Sequence, residues 1–282
     1  MQIVFTADEL RKQLSALRNE GCTIGLVPTM GALHAGHASL VERSVCENGA
    51  TVVSVFVNPT QFNDPKDLAC YPRTPEADFA LLERIGAALV FAPTVEEMYP
   101  EPDTRTFSYP PTDSVMEGAL RPGHFNGVCQ IVSKLFGLVR PDRAYFGEKD
   151  YQQIAVVSRM TTDLGFDIDI RPCPIVRAAS GLALSSRNAL LSETEKETAS
   201  YIYRTLKESL AWSAALSVTE TARKVIDTLN AVDGLEVEYF QIADGRTLEP
   251  VSAWSQSDSV VGCITVYCGA RPVRLIDNIR YK

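Results

Sequence analysis

Short apolar runs alternate with amphipathic stretches along the first 170 or so residues of this chain. Thr23–Val27, Thr51–Val57, Leu89–Ala92, Ala144–Phe146 and Ile168–Pro172 are short and apolar, the pattern of strands buried on both faces. The opening MQIVFTADELRKQLSALRNEG reads as a further strand and an amphipathic helix, without the basic-then-apolar order of a signal peptide. Helices are predicted between the strands. Ala38–Asn48 carries Leu40, Val41 and Val45, and Thr74–Pro75 places a capping residue before a proline suited to the first helical position, with the helix running towards Ile85. Val128–Val139 and Gln152–Leu164 follow, the latter with Ile154, Val157, Met160 and Leu164 on one face. This alternation predicts a parallel sheet covered by helices, a Rossmann-like α/β unit.

The rhythm changes near residue 173. Ser192 and Glu195 form a capping box ahead of one long helix carrying Ala199, Ile202, Leu206 and Leu210. Ser217 and Glu220 repeat the signal before Ala222, Val225, Ile226 and Leu229, and two strand-like runs follow, Leu235–Ile242 and Ser259–Tyr267. Helices followed by strands predict a smaller α+β domain, with Cys173–Ser186 as the connection. The expected division is 1–174 and 175–282, with no low-complexity linker and no internal repeat.

Composition narrows the class of function. The 282 residues include 27 Lys+Arg against 35 Asp+Glu, a net charge of −8, with 45% hydrophobic residues. Such a chain has the makings of a packed core but lacks the broad basic field that drives nucleic-acid or anionic-membrane binding. No apolar run approaches the ~18 residues of a membrane span. The seven cysteines are scattered without a CxxC, so most are expected to be small buried residues in a reducing compartment, and the cytoplasm is the expected location.

Four stretches carry candidate chemistry. Val27-Pro-Thr-Met-Gly-Ala-Leu-His-Ala-Gly-His37 joins a predicted strand to a predicted helix. Its glycines allow close backbone approach, and a helix N-terminus offers N–H groups and partial positive charge to a phosphate. His34 and His37, at i and i+3, stand on one side of the first turn, where imidazoles can donate to a phosphate as charge builds in an in-line displacement. Two surface histidines, or half of a zinc site, are the alternatives for HxxH alone; no third ligand lies nearby in sequence. Asn58 and Gln61, in Phe56-Val-Asn-Pro-Thr-Gln-Phe62, follow the second strand where small polar ligands bind in open α/β sheets, although a turn also explains Asn58–Pro59. Phe146-Gly-Glu-Lys-Asp-Tyr-Gln-Gln153 offers Lys149 as a point charge, and Asp150 as a cap, a ribose partner or a Mg2+ ligand. Leu184-Ser-Ser-Arg-Asn188 groups two hydroxyls and a guanidinium, a compact oxyanion binder.

Taken in order, VPTMGALHAGH, VFVNPTQF, LACYPRT, LVFAPTVEEMYP, EGALRPGHFNGV, DRAYFGEKDYQQ, GLALSSRN and the closing RLIDN closely resemble the pantoate–β-alanine ligase family, itself similar to the HIGH-type nucleotidyltransferases. The resemblance spans nearly the whole chain. Thr60 stands where many members look to carry Met. A nucleotidyltransferase that keeps AMP in its product shares the HxGH logic but tends to lack the FGEKDYQQ and LSSRN pair.

The resemblance implies ATP-dependent condensation of (R)-pantoate with β-alanine through pantoyl adenylate, releasing pyrophosphate and AMP, in pantothenate and coenzyme A biosynthesis. It implies a Rossmann-like N-terminal domain binding ATP and pantoate, a smaller C-terminal domain closing over the active site as a lid, a homodimer, and Mg2+. Carried over by position, Met30, Gly31, Ala32, Leu33, His34, Ala35, Gly36 and His37 form the ATP cradle. His37 is the proton-donor position, His34 its partner, and Lys149 acts on phosphate. Gly147, Glu148, Lys149 and Asp150 contact ATP, and Val176 lies by the adenine. Leu184, Ser185, Ser186 and Arg187 cover the phosphates. Gln61, Gln153 and Asn58 hold pantoate, Gln61 borders β-alanine, and Asn58 and His124 belong to the pocket. Asp150 is the first candidate for Mg2+, with Asp78 and Asp142 also conceivable.

Overall fold

The computed structural model describes all 282 residues, Met1–Lys282. Along the chain run β1 (Gln2–Val4), α1 (Ala7–Asn19), β2 (Ile24–Thr29), α2 (Ala35–Glu47), β3 (Ala50–Val55), α3 (Pro65–Cys70), α4 (Pro75–Arg84), β4 (Leu89–Phe91) and α5 (Val95–Met98). There follow α6 (Glu117–Leu120), α7 (His124–Val139), β5 (Arg143–Gly147), α8 (Tyr151–Asp163), β6 (Asp169–Cys173) and α9 (Glu193–Ala199). The chain closes with α10 (Tyr201–Trp212), α11 (Val218–Asn230), β7 (Leu235–Asp244), β8 (Val260–Cys268) and β9 (Val273–Arg280). Two compact units result. The first comprises Met1–Tyr109, Arg121–Glu148 and Val156–Pro174; the second comprises Pro110–Leu120, Lys149–Ala155 and Ile175–Lys282.

The first unit is a six-stranded sheet in the order β1-β4-β3-β2-β5-β6, parallel throughout. Val27, Val53, Val90 and Tyr145 meet Leu40 and Val41 of α2 and Leu82 of α4 on one face. The pleat sends Leu26, Val52, Leu89 and Ala144, all buried, to the other face, and α7 packs on β2 and on α1. The order reverses beside β2, so the crevice outside the carboxyl ends of β2, β3 and β5 is the ligand position that such a sheet favours.

The second unit is a three-stranded antiparallel sheet, β7-β8-β9, whose Phe240, Ile264 and Leu275 bury against Ile202 and Leu206 of α10 and Val225 and Leu229 of α11. On β9, Val273, Leu275, Asp277 and Ile279 share one face by the strand's period, and Arg274, Ile276 and Asn278 the other. Glu117 is clasped by Arg274 Nη1 and Nη2, each at 2.7 Å, and accepts from the Tyr239 and Thr265 hydroxyls. The segment Pro110–Leu120 is thereby tied to this sheet.

Several expected boundaries shift for local reasons. α2 begins at Ala35, three residues before the expected start, because the cap is a histidine rather than Ser, Thr, Asp or Asn. α7 begins at His124 instead of Val128, entered through Gly123 at φ 81°. The single helix expected after Ser192 is two, α9 and α10: the Ser200 N–H is shared by the carbonyls of Lys196 and Glu197, and its hydroxyl donates to Glu197, tightening the turn. β6 is an edge strand and mostly half-exposed, not buried on both faces. β9 was not expected, since its charges interrupt the apolar period. No disulfide joins any of the seven cysteines; Cys129, Cys173, Cys263 and Cys268 are buried, and Cys46 and Cys70 are exposed. No helix is long and apolar enough to cross a membrane.

Candidate active site

In the first unit the chain leaves β2 through Gly31 (φ 79°) and Ala32 (φ 50°), both in the left-handed region. Asp78, 2% exposed on α4, stabilises this turn. Its carboxylate accepts the backbone N–H groups of Ala32 at 2.9 Å and Leu33 at 2.8 Å, and the Thr74 hydroxyl at 3.1 Å. Thr74 therefore spends its side chain on Asp78 and caps no backbone N–H, while Pro75 occupies the first turn as expected. A Cβ on Gly31 would lie 3.0 Å from Asp78 Oδ2, so glycine serves both the left-handed turn and the close approach.

His34 and His37 then cap α2 reciprocally. His34 Nδ1 accepts the N–H of Gly36 at 3.1 Å, and His37 Nδ1 accepts the N–H of His34 at 3.3 Å. The ring centroids are 4.1 Å apart. A nitrogen that accepts carries no proton, so each neutral ring bears its N–H at Nε2. Two Nε2–H donors beside a helix N-terminus suit an anion whose charge grows during reaction.

A second cluster of the same unit surrounds Asn58, which is 1% exposed. Its Nδ2 donates to Gln61 Oε1 and to the Gly127 carbonyl, each at 3.1 Å, and its Oδ1 accepts from Tyr99 at 2.7 Å and Thr60 at 3.2 Å. Gln61 is oriented in turn: its Nε2 lies 3.2 Å from Met30 Sδ, and its carbonyl meets His124 Nδ1 at 2.9 Å. Burial pushes the Tyr99 phenol up, which keeps it a donor. Gly147 closes β5 in this unit, and Glu148 follows it.

In the second unit, Lys149 Nζ stands 3.1 Å from Asp150 Oδ2. Gln153 is half-buried on the first turn of α8, whereas its neighbour Gln152 is buried and bonds to the carbonyls of Thr112 and Val115 and the N–H of Glu117. Val176 and Leu184 sit across a short hairpin, the Leu184 N–H donating to Val176 O at 3.0 Å. Ser185 caps the following turn by accepting the N–H of Arg187, and Ser186 and Arg187 are half-buried.

The donor set does not build a cage for a resident Mg2+. No group of three or more His, Cys, Asp or Glu stands together to hold a metal ion. Asp78 is committed to backbone amides, Asp142 accepts the N–H of Ile24 at 2.6 Å, and Asp150 pairs with Lys149.

Tyr99 and Gly127 were not among the expected site residues, and Asp78 stood only among the conceivable Mg2+ ligands. The signal for Asp78 was an acidic residue one turn into a helix behind Thr-Pro. For Gly127 it was a glycine inside an apolar helix, where a Cβ would lie 2.3 Å from the Thr60 carbonyl oxygen.

A parallel sheet reversing beside β2, with an HxGH turn at that strand's carboxyl end, defines a HIGH-type α/β fold. The comparisons resolve the class further. The family model for pantoate-beta-alanine ligase matches residues 2–280. The chain is 62% identical over 282 residues to a pantothenate synthetase of Bacteroides thetaiotaomicron, covering 100% of this chain and 99% of that one. It is 44% identical over 281 residues to that of Thermotoga neapolitana, covering 99% of each. Among solved structures, pantothenate synthetase from Thermus thermophilus superposes with a TM-score of 0.91 at 46% identity, over 100% of this chain and 99% of that chain. The Francisella tularensis pantoate-beta-alanine ligase, complexed with beta-gamma ATP and beta-alanine, does so at 0.84 and 33% identity, over 100% and 98%. The chain belongs to the pantoate–β-alanine ligase family, and it is a ligase of pantothenate biosynthesis.

Proposed function

We propose that this ligase activates pantoate as its adenylate before joining it to β-alanine. The pantoate carboxylate attacks the α-phosphorus of ATP, and the bond to pyrophosphate breaks. The β-alanine amine then attacks the acyl carbon, AMP leaves with the former carboxylate oxygen, and the amine loses a proton. A free carboxylate is a poor acylating group, and AMP is a far better leaving group than oxide. ATP with β-alanine on the Francisella relative supports the choice of substrates.

The observation that carries the reading is the reciprocal cap of His34 and His37, which fixes Nε2–H as the donor on both rings. We assign both donors to the α-phosphate, His37 as the chief one, and Met30 to Gly36 to the cradle around it. Gly147, Glu148, Lys149 and Asp150 contact ATP, with Lys149 on phosphate; Val176 lies by the adenine, and Leu184 to Arg187 bind the β- and γ-phosphates. Gln61 and Gln153 hold pantoate, Gln61 also bordering β-alanine. Asn58, with both ends of its amide engaged, holds Gln61 in place. Mg2+ arrives as the counter-ion of the triphosphate, and no step depends on a metal held by the protein alone. A cytoplasmic homodimer completes the proposal.

Product identification tests it. ATP, pantoate and β-alanine are expected to give pantothenate, AMP and pyrophosphate. Pyrophosphate exchange into ATP is expected to need pantoate and not β-alanine. Formation of ADP, or exchange indifferent to pantoate, overturns the adenylate.

A further inference from the structure

On β9 the apolar period of Val273, Leu275 and Ile279 is broken by Asp277, whose side chain is only 4% exposed. A carboxylate at an apolar strand position requires a partner. Arg177 supplies it with two bonds, Nη1 to Oδ2 at 2.6 Å and Nη2 to Oδ1 at 2.8 Å. Arg177 is fixed by Gly181 O at 3.2 Å and by the Tyr203 ring, 3.6 Å from its guanidinium carbon. It is also the residue after Val176, on the hairpin that leads into Leu184–Arg187.

Asp277 Oδ1 accepts one further donor, the backbone N–H of Asn278 at 2.8 Å. Asn278 faces the other side of the strand, and its Nδ2 donates to the carbonyl of Lys149 at 3.2 Å. Lys149 lies in the one-turn 3-10 segment Glu148–Asp150, whose few internal bonds give its backbone little rigidity of its own. The two adjacent residues of β9 thus hold, from opposite faces, the two segments assigned to ATP in this unit.

We propose that Asn278 is a positioning residue for Lys149, and that Asp277 links it to the Val176–Leu184 hairpin so that both ATP-binding segments are set by one strand. This rests on the assignment of those segments to ATP made above. The RLIDN sequence then serves the nucleotide without touching it. Loss of the link is felt in ATP affinity, while the sites for the acid and the amine are untouched.

The test is steady-state kinetics on the full chain with each substrate varied in turn. Asn278→Ala is expected to raise the KM for ATP roughly five- to tenfold, the equivalent of one hydrogen bond, and to leave those for pantoate and β-alanine within about twofold. In a Lys149→Ala background the same substitution is expected to change the ATP KM by less than about twofold, because residues acting through one group are not additive. Arg177→Met with Asp277→Leu, which removes both buried charges together, is expected to raise the ATP KM in the same way. If Asn278→Ala does not fold, Asn278→Leu, of similar volume and without a donor, takes its place. An unchanged ATP KM, a parallel rise in all three KM values, or full additivity with Lys149→Ala overturns the inference. A wild-type chain that forms no AMP overturns the adenylate reading itself, a result separable from all of these.

Discussion

The backbone N–H of His34 donates to Nδ1 of His37 at 3.3 Å, so the second histidine of the motif shapes the turn that presents the first. The cap and the proposed phosphate donor are opposite nitrogens of one ring and can be separated by substitution. In His37→Asn the amide oxygen takes over the acceptor, but no N–H reaches the Nε2 position. The adenylation rate is expected to fall by roughly 10²–10³ with urea stability close to wild type. His37→Ala is expected to lose about 1 kcal/mol more stability as the cap goes. Pantoate-dependent pyrophosphate exchange and urea unfolding read the two effects, and equal activity in His37→Asn and wild type removes His37 from the chemistry.

Asp78 accepts the Ala32 and Leu33 amides through its two carboxylate oxygens, one on each. Asp78→Asn keeps the shape but turns one acceptor into a donor facing an N–H. Stability is expected to fall by roughly 1–3 kcal/mol, and the KM for ATP to rise as the turn loosens. A variant with normal ATP KM and only reduced stability assigns Asp78 to the fold alone.

The Asp103 side chain, 3% exposed, is bonded by Arg105 and lies 3.5 Å from Lys134 Nζ, which holds its carboxyl at about 2. Because the folded value is depressed, the pairing stabilises the protein in full above the ordinary aspartate value. It is lost as pH falls from about 4 through about 2, where the folded state also takes up the proton. The contribution is of order 2 kcal/mol. Urea midpoints of wild type and Asp103→Asn are expected to differ at pH 7 and to converge near pH 2. A gap that persists at pH 2 assigns the effect to packing instead of charge.

The alternation of apolar runs and amphipathic helices made the parallel sheet legible, because buried strands and their covering helices follow strict periods. The polar candidates were legible by a different rule, that polar residues just past a strand's end face ligands in this architecture. Contacts distant in sequence were not. Asp78 reads as an ordinary first-turn acid until α4 brings it to Ala32 and Leu33. Asp277 spoils the period that would have announced β9, and its reason, Arg177, lies 100 residues away in sequence. The start of α2 was missed for a local reason, since a histidine accepting through Nδ1 does what the capping rules ascribe to Ser or Asp.

Gly127 lies inside α7, facing the turn that carries Gln61: a Cβ there would stand 2.3 Å from the Thr60 carbonyl oxygen and 2.6 Å from Gln61 Cα. These are backbone atoms and cannot swing aside as a side-chain tip would. Gly127→Ala must push the Pro59–Gln61 turn away from α7, stretching the 3.1 Å bond from Asn58 Nδ2 to the Gly127 carbonyl. Alanine favours a helix more than glycine does by about 1 kcal/mol, so propensity alone predicts a stabilised protein. Overpacking costs about 1–3 kcal/mol and is expected to win, leaving the variant less stable. Because Gln61 moves with the turn, the KM for pantoate is expected to rise several-fold while that for ATP changes little. Urea unfolding and kinetics with pantoate varied check both signs. A stabilised Gly127→Ala with normal pantoate KM shows that the turn can yield freely, and removes Gly127 from the placement of Gln61.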